Sequence, residues 1–181
     1  ILYFNQLHTP VLNTVFENMT HLAEAPAIVF LVLLVSFYRL GNGLVMGINA
    51  LLILLAVTFL KKVVFASQVR PSVYFDGKAQ LNFLPGMEVL HHNSFPSGHT
   101  AGAFALFFLL SLMVKDKRWS IICFVIALGV GVSRVYLLQH FFRDVYFGSL
   151  VAVLITSIFW LTFVQSRFYA NIEWKDKRIF N

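Results

Sequence analysis

Between residues 70 and 144 the chain sets two histidines, two arginines, a serine and an aspartate at intervals suited to handling an anion. His140 and Asp144 stand four apart, so a helix running through both would put them on one face, where the carboxylate can hydrogen-bond the imidazole. That is a histidine with an orienter. Pro96-Ser97-Gly98-His99 has helix-start chemistry: proline where its missing N–H is not needed, serine to cap, and glycine to let another group approach the backbone. A helix beginning there aims unpaired N–H groups and its positive dipole end at whatever lies in front, and phosphate is the usual guest. A plain cap followed by close packing is the other reading, since Gly98 with Gly102 and Ala101 with Ala105 are small residues at four-residue spacing. Arg134 precedes His140 by six residues, which on one continuous helix would set them roughly 120° apart. A turn between them lets Arg134 end one helix while His140 and Asp144 begin the next. Taken singly, Arg134 reads as a snorkelling anchor and the His140–Asp144 pair as a structural hydrogen bond. Ionisable groups at the ends of apolar helices are costly, so Arg70, His99, Arg134, His140 and Asp144 together form a functional hypothesis.

The elements that must position these residues belong in lipid. The 181-residue chain is a single domain by length, 59% apolar and only 12% charged, whereas soluble domains carry roughly 25% charged residues. The expected fold is an all-α polytopic transmembrane helix bundle. Five runs lack Asp, Glu, Lys and Arg: Ala25–Tyr38, Leu40–Leu60, Val89–Val114, Trp119–Ser133 and Val145–Ser166. A crossing helix needs ~20 mostly apolar residues, and shorter runs manage when flanking arginines snorkel. Five spans are therefore expected, with a sixth ahead of Ile1, where the chain opens without methionine or signal peptide. Residues 1–24 carry an apolar stripe through Phe4, Leu7, Val11, Val15, Met19 and Leu22, broken at Pro10; it suits an interfacial helix or an ordinary packed amphipathic one. Residues 61–95 form an outward loop punctuated by Pro71, Gly77, Pro85 and Gly86, and residues 167–181 a cytoplasmic tail.

Threading five spans gives one side Arg39, Lys115, Lys117, Arg118, Arg167, Lys175, Lys177 and Arg178, eight of the fourteen basic residues. The positive-inside rule makes that side cytoplasmic and turns the site outward, to periplasm or exterior. The net charge of +6 does not point to nucleic acid, because the basic residues lie between apolar runs and form no solvated stripe. Cys123, within an apolar run, is read as a core residue. His91 and His92 with His99 make a poor zinc set, since adjacent histidines point apart; they are read as loop residues at the mouth of the site.

The spaced pattern Pro96-Ser97-Gly98-His99, then Ser133-Arg134, five residues, His140, three residues and Asp144 resembles the second and third signatures of the type 2 phosphatidic acid phosphatase (PAP2) superfamily. Asn5, His8 and Pro10 resemble that family's interfacial segment. The family's first signature is lysine, six residues, Arg-Pro. Here Arg70-Pro71 matches, but seven residues separate Lys62 from Arg70, which on a helix turns Lys62 by about 100°. Lys62 is the expected lysine and Lys61 the substitute. The resemblance implies a metal-independent lipid phosphatase without cofactor, in which His140 attacks phosphorus and Asp144 orients it. His99 would protonate the leaving oxygen, and Arg70, Arg134, Ser97, Gly98 and Lys62 would grip the phosphate. It implies a membrane lipid phosphate as substrate, the bilayer as partner and no obligate protein partner. A catalytically silent lipid-binding or lipid-transporting relative is the alternative, although such a relative is expected to lose one of the two histidines.

Overall fold

A computed structural model describes residues 1–178; Ile179, Phe180 and Asn181, the end of the expected tail, lie outside the described residues. The described chain is helical throughout its regular structure: α1 (Leu2–Gln6), α2 (Pro10–His21), α3 (Ala25–Tyr38), α4 (Leu40–Phe59), α5 (Pro71–Tyr74), α6 (Gly98–Met113), α7 (Arg118–Tyr136), α8 (Phe142–Phe159) and α9 (Arg167–Ala170). Pro10 begins α2 at its first turn, where Thr9 caps the helix by accepting the Leu12 N–H at 3.3 Å. α4 and α8 each end in a turn of π-helix, Leu60–Val64 and Trp160–Val164, closed by the Phe65 N–H donating to the Leu60 carbonyl at 2.8 Å and the Gln165 N–H to Trp160 at 3.1 Å.

Three helices are long and apolar enough to cross a membrane: Leu40–Val64, Arg118–Tyr136 and Phe142–Val164. A fourth arises if α2 and α3, bent by 58° at the break between them, count as one broken span. Helix length thus supports three or four of the expected five spans, and the expected sixth, ahead of Ile1, lies outside the described residues. The physical reason is that absence of charge does not define a helix. In the run Val89–Val114 the first nine residues are loop, and the remaining helix of 16 residues spans about 24 Å against a hydrocarbon core of ~30 Å. In the other direction, Lys61 and Lys62 lie in the π-turn that prolongs α4, inside the helix and not at the start of the loop.

α6 is central, packed on α4, α7 and α8, while α2 lies along α7 and α3 along α4. Ala103, Leu106 and Leu109 of α6 meet Val45 and Met46 of α4, Ala127 and Val130 of α7, and Phe159 of α8 in one buried cluster. Leu54, Leu55, Ile121, Phe124, Leu154 and Ile158 face outward, the disposition of helices solvated by lipid. At the far end from the loop, the carbonyls of Lys175 and Lys177 accept the Gly41 and Leu40 N–H groups at 2.9 and 3.1 Å, so the tail caps the start of α4. Asn5 pairs with the Asn82 backbone, accepting its N–H at 2.9 Å and donating to its carbonyl at 2.7 Å, which ties the N-terminal segment to the loop between α5 and α6.

Candidate active site

Asp144 is the junction of the site. It is the third residue of α8, and its carboxylate turns back to accept the Phe141 N–H at 3.0 Å, the acidic half of a helix-start cap. The same Oδ2 accepts the Ser94 hydroxyl at 2.5 Å and lies 3.6 Å from His140 Nδ1. Arg143 Nε stands 3.4 Å from Oδ1, and the Asp144 carbonyl accepts the Ser97 N–H at 2.9 Å. Asp144 therefore touches the Pro-Ser-Gly-His turn, the loop before it and the His140 turn at once.

His140 does not share a helical face with Asp144. It sits in the turn between α7 and α8, where the Arg134 carbonyl accepts both the Gln139 N–H at 3.0 Å and the His140 N–H at 3.1 Å. Leu138 takes a left-handed conformation, φ 55°, to make that reversal. The turn that sequence spacing required between Arg134 and His140 is present, but it swallows His140 as well. At 3.6 Å the ring nitrogen and carboxylate face one another outside normal hydrogen-bond length. His140 is fully buried, and burial, joined by Arg70, Lys61 and Arg134, pushes its imidazole well below the ordinary histidine range against the pull of Asp144.

Three cations surround this pair. Arg70 is buried, with Nε donating to the His92 carbonyl at 3.0 Å and one terminal nitrogen donating to both the carbonyl and the side-chain oxygen of Gln139, at 2.8 and 3.1 Å. Arg134, also buried, donates to Thr20 Oγ1 of α2, while its Nε has no partner. Lys61 lies against the Pro-Ser-Gly-His turn: a Cβ on Gly98 would stand 3.8 Å from its Nζ. Lys62 is exposed. Of the two lysines it is Lys61 that stands beside Gly98, because the π-turn winds the end of α4 more loosely than an α-helix and carries it inward.

Ser97 caps α6, accepting the Thr100 N–H at 3.4 Å and the Thr100 hydroxyl at 2.9 Å. Gly148 of α8 permits that turn to approach, since a Cβ there would fall 2.7 Å from the Ser97 carbonyl oxygen. His99, half-buried, opens α6 and faces a cavity between α3, α4 and α6. His91 and His92 contribute backbone carbonyls to Arg70, and no group of three or more His, Cys, Asp or Glu able to hold a metal is gathered among the described residues. Sequence reasoning missed Ser94, Gln139 and Thr20. Ser94 and Gln139 adjoin motif residues, a weak signal; Thr20 reaches Arg134 across 114 positions, and nothing local marks it.

The chain matches the family model described as the PAP2 superfamily over residues 42–168. It is 33% identical over 167 residues to phosphatidylglycerophosphatase B of Bacillus subtilis (strain 168), covering 82% of this chain and 74% of that protein. It is 34% identical over 128 residues to lipid phosphate phosphatase 1 of Arabidopsis thaliana, covering 56% of this chain and 37% of that protein. A shorter match, 41% over 69 residues, links it to the bacitracin transport permease protein BcrC of Bacillus licheniformis, covering 38% of this chain and 33% of that protein. The chain therefore spans about a third of the length of two of these relatives and three quarters of the third. Its fold resembles the crystal structure of Aquifex aeolicus LpxE, with a TM-score of 0.75 and 26% identity over 87% of this chain and 90% of that one. It also resembles the PAP2-type phosphatidylglycerolphosphate phosphatase of Bacillus subtilis, with a TM-score of 0.66 and 28% identity over 92% and 84%. With a family model matched across most of the chain and the Arg70, His99, Arg134, His140 and Asp144 pattern drawn to one end of the bundle, the chain belongs to the PAP2 superfamily, in its membrane lipid phosphatase branch.

Proposed function

We propose that this chain hydrolyses a phosphomonoester or pyrophosphate on a membrane lipid, without metal, through a phosphohistidine formed on His140. The observation that carries the reading is the buried His140 with Nδ1 turned to Asp144 at 3.6 Å and three cations around it. With Nδ1 facing the carboxylate, Nε2 is the nitrogen that attacks. The N–P bond forms as the bond from phosphorus to the lipid oxygen breaks; His99 gives that oxygen its proton and then takes one from the water that releases phosphate. Asp144 holds the ring and stabilises the imidazolium. Arg70, Arg134 and Lys61 hold the nonbridging oxygens, with Ser97 and the Gly98 backbone beside them, because phosphoryl transfer is catalysed mainly by positioning and charge. Lys61 takes the place expected of Lys62 on the strength of its nearness to Gly98.

The reading extends to topology. α3 and α6 are read as crossing with the three long helices, their short lengths made up by flanking Arg39 and by local thinning of the bilayer. Residues 61–95 face the periplasm or exterior, and the 167–181 tail the cytoplasm. Polyprenyl pyrophosphate, phosphatidylglycerophosphate, phosphatidate and the phosphate of lipid A are the substrates to compare.

The test is phosphate release by the purified protein in detergent over that panel, with chelator present and His140→Ala alongside. Release that survives chelator and vanishes in the variant is expected. A folded protein that releases phosphate from none of them would move the reading to a lipid-binding relative.

A further inference from the structure

Of the twelve residues of α2, only Thr20 is buried. A hydroxyl out of reach of water needs a partner, and a threonine within a helix commonly finds one a turn back, as Thr14 does by donating to the Pro10 carbonyl at 3.0 Å. Thr20 turns elsewhere: its Oγ1 accepts from Nη1 of Arg134 on α7. Contacts that do not involve the arginine fix its place. Tyr136, two residues beyond Arg134, donates its hydroxyl to Asn13 Oδ1 at 2.6 Å and lies against the rings of His8 and Phe16, with centroids 4.5 and 4.4 Å away. On the other side of Arg134, Gly129 lets Met19 come close, for a Cβ there would stand 3.2 Å from the Met19 sulfur. α2 is thus clasped to α7 both before and after Arg134, and a β-branched side chain in a helix has few rotamers to choose from.

The arginine's own hydrogen bonds supply the second argument. A guanidinium presents its N–H groups in a planar fork. Nη1 of Arg134 donates to Thr20, Nε is buried without a partner, and Nη2 makes no hydrogen bond among the described residues. Nε and Nη2 form an edge whose two parallel N–H groups match the oxygens of a phosphate. A charged donor left buried and unpaired is costly, so an oxyanion is the acceptor this edge lacks. Without the Thr20 oxygen, Nη1 would lose its partner as well, and nothing would hold the fork in one direction.

We propose that Thr20 is a positioning residue for phosphate binding: by holding Nη1 of Arg134 from α2, it turns the Nε–Nη2 edge toward the nonbridging oxygens of the substrate phosphate. The proposal rests on the phosphatase reading above and gives α2, which carries none of the reacting groups, a part in the reaction.

The experiment measures inhibition by orthovanadate, an oxyanion of phosphate's shape, against hydrolysis of one lipid phosphate by the purified full chain in detergent. An inhibition constant does not depend on the fraction of protein that is folded, so looser packing of α2 alone leaves it unmoved. Thr20→Val removes the hydroxyl and keeps the shape. It should raise the vanadate Ki about tenfold and lower kcat/KM to a similar degree, the size expected for a hydrogen bond to a charged group. Thr20→Ser, which restores an oxygen, should recover most of both losses, and Thr14→Val, at an exposed position of the same helix, should move neither by more than about twofold. Thr20→Ala makes the same comparison should the valine variant fail to assemble. A vanadate Ki that stays at the parent's value in the valine or alanine variant, or a serine variant no better than these, would overturn the proposal while leaving the phosphatase reading intact. A parent protein that hydrolyses no lipid phosphate would overturn both.

Discussion

Two adjacent lysines with the same chemistry have opposite surroundings, and the difference can be measured. Lys61 sits within reach of Gly98 and Lys62 is exposed, so Lys61→Ala should lower kcat/KM by about a hundredfold, in the range found when one charge-stabilising donor is lost, and Lys62→Ala by less than about threefold. Steady-state kinetics on one lipid phosphate decides between them, and equal losses would refute the assignment. His140 carries a second prediction. Its ring is held well below the ordinary histidine range, so the unfolded chain takes up a proton near pH ~6.5 that the folded ring refuses. Stability from this source is complete above that value and is lost as pH falls from it toward the folded pKa. Thermal unfolding in detergent should show a Tm that declines below about pH 6.5, with a shallower decline in His140→Asn. An unchanged slope would assign the loss to carboxylates. At this scale the sequence was most informative for residues whose spacing is short. His99, Arg134, His140 and Asp144 could be named from their intervals, while Lys61 could not be preferred over Lys62, because a π-turn leaves no mark in residue types.

Among the elements, α8 and the turn before α6 meet more closely than any side chain would allow. Gly148→Val should force Ser97 and α8 apart, lowering stability by about 1–3 kcal/mol and activity along with it, measurable as a joint fall in Tm and phosphate release. Loss of activity with Tm unchanged would mean that Gly148 acts on chemistry alone. The helices themselves were legible as apolar runs, but their limits were not. A charge-free run starts α6 nine residues too early, in a loop whose His91 and His92 carbonyls accept hydrogen bonds from Arg70. Such a run also cuts α4 short at Lys61, since lysine inside a terminal turn looks the same in sequence as lysine in a loop.

The whole molecule has one end built from carbonyls and cations around Asp144 and another where the tail caps α4. Their sidedness can be tested because Cys123 is the only cysteine. In a Cys123→Ala background, cysteine placed at Gly77 should react with a membrane-impermeant thiol reagent added to intact cells, and cysteine at Lys175 only after the membrane is opened. The reverse pattern would invert the orientation. Long-range pairing was the least legible property of the sequence: Arg134 with Thr20 and Ser94 with Asp144 lie 114 and 50 positions apart, and only the packed bundle joins them. That last separation bears on synthesis. The Ser94–Ser97 segment emerges before α8, yet the carboxylate that receives the Ser94 hydroxyl and the carbonyl that receives the Ser97 N–H belong to a residue still to be added. A nascent chain stopped short of Asp144 holds the Pro-Ser-Gly-His turn without its clasp, so the site is completed late, when α8 enters the membrane beside α6.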